Sequence, residues 1–309
     1  MVIEAQMMPP FSIESLPAIS HETLSKFEEA YPPHWRGWGA QQIDEDRAHI
    51  LREAAASAPS AVPFTDMLQL AARLSSGGNY LPQTMASYRY AMTQGLRSGA
   101  SLIDLAARYG RPVAFQIYPP GLEIPADELQ EVDFDYICDC LRRTFDRAAG
   151  PGSDGYVAGV ARGEYNVVNE SYRLYFHGLA FGALAEGLRW INELDEYEYA
   201  PWQDRYSPPF ARVRWRRIKR TNITKFLDLV PTDWQRIYES RLEREWVRQT
   251  LWTELPVLRM AQLLLFWDTL NLRKITLLMR LRPAGDGLRL TAKGRGKRLL
   301  KSAVLGKAK

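Results

Sequence analysis

Residues 172–181, YRLYFHGLAF, decide the fold. Aromatic and aliphatic residues crowd this run, and the two-residue period of a strand divides them into two sets. Leu174, Phe176, Gly178 and Ala180 fall on one side, and Tyr175, His177, Leu179 and Phe181 on the other. Upstream, Tyr156 to Ala161 reads as a partner strand, joined to the first by a polar hairpin from Gly163 to Ser171. Earlier still, Asp133 opens an amphipathic helix to about Ala148, with Phe134, Ile137, Leu141 and Phe145 at helical spacing and Gly150, Pro151 and Gly152 as its stop. Val113 to Tyr118 is a compact apolar run closed by Pro119 and Pro120, hence a strand. Downstream, Ala183 to Leu194 reads as a second helix and Phe210 to Lys219 as a further strand.

The order is β-α-β-β-α-β, the signature of a ferredoxin-like sandwich in the α+β class, with helices on one sheet face and the other face available. Val113, Phe115 and Ile117 match the core set of the quoted strand, which leaves Ala114, Gln116 and Tyr118 on the open face. Gln116, Tyr118, Tyr175 and His177 are expected to converge there. Around the sandwich (111–230), residues 1–110 read as a Pro- and aromatic-rich arm followed by a helical bundle, with Gly77, Gly78, Gly95 and Gly110 as stops. Residues 231–309 read as a basic helical region.

Charge is divided unevenly along the chain. Residues 1–200 carry 15 basic and 27 acidic side chains, whereas residues 201–309 carry 25 and 9. Such asymmetry points to a polyanionic partner, nucleic acid first. The densest run of these cations is Arg212, Arg214, Arg216, Arg217, Lys219, Arg220 and Lys225. On a strand, Arg212, Arg214 and Arg216 share one face, while Arg217 and Lys219 share the other. A groove tracking a phosphate backbone is the functional use of these charges; repulsion of neighbouring strands at a sheet edge is the structural one.

Several classes are not supported by the sequence. Every 18-residue stretch carries charge, so no membrane span is expected; MVIEAQMMPP lacks the features of a signal peptide, and a cytoplasmic location is expected. Cys138 and Cys140, two residues apart on a helix, point to different sides and make a poor metal pair. Neither a phosphate-cradling GxxxxGK[ST] loop nor a GxGxxG turn occurs.

With its β-α-β prelude, RLYFHGLAFG (173–182) resembles the HUH endonucleases, the rolling-circle replication initiators and related transposon proteins. That family holds a divalent cation with a His-hydrophobic-His motif on a central strand and attacks the scissile phosphate with a tyrosine from a later helix. The resemblance implies Mg²⁺ or Mn²⁺ at His177, which matches the second histidine, with Gln116 as a supplementary ligand. Tyr175 replaces the first histidine. It also implies a nucleophile at Tyr238, one turn before Arg241 on a helix expected over DWQRIYESRLEREWVRQTLW (233–252). Farther on, Leu255 to Leu270 and Leu272 to Leu281 read as helices, and LRLTAKGRGKRLL (288–300) is similar to the wing of winged-helix regulators.

These observations lead to the expectation of a DNA-binding protein of a plasmid or mobile element, with Tyr118, Tyr175 and the basic residues on the strand. It would nick single-stranded DNA through Tyr238 or bind it without catalysis. A charge-driven assembly of copies of the chain is the third reading.

Overall fold

The computed structural model describes residues 38–57, 63–76, 82–109, 111–120, 123–150, 153–191, 193–194, 213–217, 235–242, 245–251, 255–284 and 287–291. Arg212, Lys219, Arg220 and Lys225 of the expected basic groove lie outside them, as do the Pro-rich arm before Trp38 and the basic end after Thr291.

Three helices come first: α1 (Trp38–Ser57), α2 (Phe64–Leu74) and α3 (Tyr88–Tyr109). Asp44 of α1 is fully buried and adds to the cap of α3, whose own Ser87 Oγ accepts from the Tyr90 N–H at 3.2 Å. Its carboxylate accepts hydrogen bonds from the Tyr88 backbone N–H at 2.5 Å, Ser87 Oγ at 2.8 Å and Arg89 Nε at 2.9 Å. Backbone N–H groups at a helix start have no intrahelical acceptor, so this one contact locks the two helices together. Gly95 was expected to end a helix, but α3 runs straight through it. An interior glycine costs roughly 1 kcal/mol of helix propensity, and burial of Ala91, Met92, Leu102 and Ala106 outweighs that.

The expected β-α-β-β-α-β order follows as β1 (Val113–Ile117), α4 (Phe134–Ala149), β3 (Tyr156–Asn166), β4 (Ser171–Phe181), α5 (Ala183–Ile191) and β5 (Val213–Arg217). A short β2 (Glu123–Pro125) and a 3-10 turn lie between β1 and α4. Asp133 caps α4 by accepting from the Tyr136 N–H at 3.0 Å. In the sheet these strands lie in the order β5-β1-β4-β3, every neighbour antiparallel. The protein is thus α+β, mixed helix and antiparallel sheet. β3 is longer than expected, because the polar residues Arg162, Glu164 and Asn166 continue the ladder opposite Tyr175, Arg173 and Ser171.

One sheet face packs under α4 and α5. Phe115 meets Phe145 edge-on at 5.4 Å between ring centroids, and Phe134 lies 6.4 Å from Phe176. Phe115, Gly178 and Gly159 occupy one row across β1, β4 and β3. The glycines admit the Phe115 ring and close strand packing: a Cβ on Gly159 would lie 3.1 Å from Phe115 Cζ, and one on Gly178 only 2.2 Å from the Ala158 carbonyl oxygen.

The last third departs from the helical reading. β6 (Gln235–Leu242) and β7 (Glu245–Leu251) pair antiparallel where a single helix was expected. Glu, Arg and Leu favour helix locally, but Ile237, Tyr238, Trp246, Val247 and Thr250 suit a pleated surface, and pairing with the end of β3 decides between them. α6 (Val257–Thr269) forms as expected. Beyond it, among the described residues, only Leu272–Ile275 is helical (α7); Thr276–Met279 becomes β8 and fills the first half of β3 from Val157 to Val160. A positive φ of 58° at Arg280 then turns the chain into the hairpin β9 (Leu281–Ala284) and β10 (Gly287–Leu290).

The three expected regions are not separate in packing. One hydrophobic cluster joins Leu51 and Leu70 of the first helices, Phe115 and Phe176 of the sheet, and Phe266 and Leu277 of the last third. Arg47 of α1 holds the seam, its guanidinium 5.2 Å from the Trp267 ring centre and 5.5 Å from that of Tyr88.

Candidate functional site

Polar residues gather on the second face of the sheet, the side opposite α4 and α5. Gln116 lies opposite Arg214 of β5 on one side and His177 of β4 on the other, and His177 lies opposite Val160 of β3. The next row runs Arg216, Ala114, Leu179, Ala158. Residues directly opposite on antiparallel strands have Cβ atoms about 5 Å apart, so Gln116, His177 and Arg214 form one line of donors and acceptors. The small Ala114 leaves a depression beside that line, of about 270 Å³, lined by Ala114, Phe115, Gln116, His177, Arg214, Trp215 and Arg216.

The expectation of an open face is corrected on both sides of this depression. On one side, α3 and the β9–β10 hairpin bury Ala114, Leu179, Phe181, Tyr156 and Ala158 beneath Leu102, Ala106, Leu281 and Leu288. The Leu288 N–H donates to Ser101 Oγ at 2.9 Å and ties hairpin to helix. On the other side, Tyr118 is only 3% exposed, and Arg162, Glu164 and Arg173 are also buried. Gln116 Nε2 donates to Tyr118 Oη at 2.8 Å, Tyr118 Oη donates to Glu164 Oε1 at 3.4 Å, and the Tyr118 and Tyr175 rings lie 5.0 Å apart. Tyr118 is therefore a support for Gln116 rather than a surface on which a base could lie. Tyr175 and His177 remain half-buried, and Arg214, Arg216 and Arg217 are exposed.

His177 shows the character of this place. Burial, then the guanidinium groups of Arg162 and Arg216, push its pKa from 6.5 down to about 4. The imidazole is thus neutral near pH 7, in a field that disfavours added positive charge. Gln116 and His177 do not fit Mg²⁺ or Mn²⁺. They offer two neutral donors, hard divalent cations take sets of oxygen ligands rich in carboxylate, and the neighbouring arginines repel a cation. No group of three or more His, Cys, Asp or Glu able to hold a metal occurs among the described residues.

Tyr238 and Arg241 are placed elsewhere. Both belong to β6 rather than a helix, so they are not set one helical turn apart. Asn166 pairs with Ile237, which sets Tyr238 one step past the end of β3. His177 pairs with Val160, near the middle of β3. Along the strand and across two strand spacings, the Cα of Tyr238 lies roughly 25 Å from that of His177. The two residues cannot act on one phosphate.

Two features of the site escaped the sequence reading. The polar alternation Arg162, Glu164 in ARGEY could have signalled the buried layer behind Gln116. Trp190 could have been noticed between Arg189 and the end of α5, on the polar side of a helix that buries Leu184, Leu188 and Ile191. Among the described residues, no helix is long and apolar enough to cross a membrane. Comparison of the chain with protein-family models, curated proteins and solved structures returns no match.

Proposed function

We propose that this chain binds nucleic acid along the β5 edge of a ferredoxin-like unit, without cutting it. The observation that carries the reading is the exposed run of Arg214, Arg216 and Arg217 at the end of the sheet. Two of these arginines border the depression that Gln116 and a neutral His177 also line. Guanidinium groups bind phosphate as forks, and Gln116 and His177 can donate or accept hydrogen bonds beside them. The β5-β1-β4-β3 order and the crossover helices α4 and α5 support the ferredoxin-like reading of this unit. The resemblance of residues 173–182 to replication initiators makes single-stranded DNA of a plasmid or mobile element the proposed target. The separation of Tyr238 from His177 argues for binding without covalent attack.

The test is fluorescence anisotropy with oligo-dT, oligo-rU and duplex DNA in EDTA, over a salt series. Each phosphate contact on a single strand contributes about 0.7 to the slope of log K against log salt. Replacing Arg214 and Arg216 together with Gln should therefore reduce the slope by about 1.4 and weaken binding to every sequence. Absence of binding at low salt, or an unchanged slope in the double variant, would reject the reading. Self-association dissolved by salt, without nucleic-acid binding, would point to the assembly protein instead.

A further inference from the structure

Two tryptophans stand exposed at the seam between α5 and β5, Trp190 at 44% and Trp215 at 46%. Single exposed apolar side chains are common, but two large aromatic rings side by side make a patch of the kind that marks an interaction surface. Arg217 and Glu186 fix how the two elements align, with Arg217 Nη2 3.2 Å from Glu186 Oε1. Both β4 and β5 are antiparallel to β1, hence parallel to each other, and α5, the helix between them in sequence, runs back against β5. One turn onward from Glu186 along α5, about 6 Å, is Trp190. Two residues backward from Arg217 along β5, about 6.6 Å, is Trp215. The Trp190 and Trp215 positions consequently fall at about the same level along α5 and β5, each one step from the same ion pair.

Their surroundings are cationic. The Arg189 guanidinium lies 4.8 Å from the Trp190 ring centre, and exposed Arg217 shares a face of β5 with Trp215. Arg214 and Arg216 emerge on the other face of the same strand, one strand's thickness away. A polyanion that also carries flat apolar faces fits this pairing of guanidinium and indole. A duplex keeps its bases stacked inside and would offer only phosphates, whereas an unpaired strand can turn its bases toward the seam.

We propose that Trp190 and Trp215 form a stacking platform for the unpaired bases of a single strand whose phosphates pass over Arg214 and Arg216 around the β5 edge. The inference rests on the nucleic-acid reading above and makes it specific: the ligand is single-stranded, and its bases are held through their faces with little sequence preference.

The test compares three probes on the full chain: oligo-dT, an abasic strand of the same length and charge, and a blunt duplex. Stacking on an aromatic ring contributes enough per base for about a tenfold change in affinity when the ring is removed. The native protein should bind oligo-dT at least tenfold more tightly than the abasic strand or the duplex. Trp190→Leu and Trp215→Leu should each weaken oligo-dT about tenfold and leave abasic binding and the salt slope unchanged, while Trp190→Phe and Trp215→Phe restore most of the loss. Equal binding of oligo-dT and the abasic strand, with the salt slope intact, overturns the platform and leaves the phosphate reading standing. No binding of any probe removes both. Should a Leu variant unfold, the oligo-dT to abasic ratio of the native protein and of the Phe variants still decides, since neither requires it.

Discussion

Acid should weaken the fold through one imidazole, and the size of that effect can be worked out. In the unfolded chain His177 titrates near 6.5, and in the folded protein near 4, because burial and the charges of Arg162 and Arg216 oppose its protonation. Between those values the unfolded state binds a proton that the native state refuses, so stability is intact above about pH 6.5 and falls as pH drops toward 4. The full separation corresponds to about 3 kcal/mol; incomplete titration at about pH 4.5 and solvent around a half-buried ring bring the expected loss there to about 2 kcal/mol. Urea unfolding of the native protein and of His177→Gln, at about pH 7 and about pH 4.5, isolates it, because the carboxylates contribute equally to both proteins. The native protein should lose about 2 kcal/mol more than the variant over that interval. Arg216→Gln, which removes one of the opposing charges, should shrink the difference. Equal losses in native and variant protein, or an NMR titration placing the His177 ring near 6.5, would refute the electrostatic description of the site. A bound oligonucleotide should move the same titration upward, since a phosphate beside the imidazole favours its charged form.

Asp44→Ala should cost about 3 kcal/mol in urea unfolding, because it strands the buried Tyr88 N–H and takes the carboxylate from the part-buried Arg89 guanidinium; Asp44→Asn, which keeps an acceptor, should cost less. Gly178→Ala should destabilise by about 3 kcal/mol or more, since the added Cβ meets backbone at 2.2 Å rather than a side chain that can yield. Iodoacetamide at mildly alkaline pH should modify Cys140, which is half-buried, and spare Cys138, whose thiol burial pushes up to about 12; mass spectrometry of the digested protein distinguishes the two. Single-stranded DNA with Mn²⁺ should yield no adduct on a denaturing gel that disappears in Tyr238→Phe.

The elements legible in sequence are those whose partners lie close along the chain. Strands β1 and β4 and helix α4 declare themselves by period and by stops such as Pro119 and Gly150, and the β3–β4 hairpin needs only its neighbour. The β6–β7 pair does not declare itself. Its charged, helix-favouring residues are held extended by the end of β3, some seventy positions earlier, and no local pattern records that. β8 is the same case: ITLLM reads as a helix until Val157–Val160 offers it an unpaired side. The covered half of the second face carried a signal in its own strand, since Leu179 and Phe181 alternate with the core set yet are as apolar as it is. An apolar residue on a supposedly open face implies a cover, here α3 and the β9–β10 hairpin.

These additions also explain why binding is assigned to one end of the sheet. On the far side of β4, β3 is paired along its first half by β8 and at its end by β6, with β7 beyond. The second face is closed by α3 and β9–β10 over Ala114 and Leu179, and backed by the buried Tyr118–Glu164 pair beside Gln116. Among the described residues, what stays accessible is the β5 edge with the depression behind it. Its exposed residues are three arginines and a tryptophan, a composition that neither packs a core nor joins another apolar sheet. The arginines that make His177 hostile to a metal ion also make the same spot favourable to phosphate. The divalent site implied by resemblance and the phosphate site proposed from geometry therefore compete for one place, and the guanidinium charges of Arg214 and Arg216 beside it favour the phosphate.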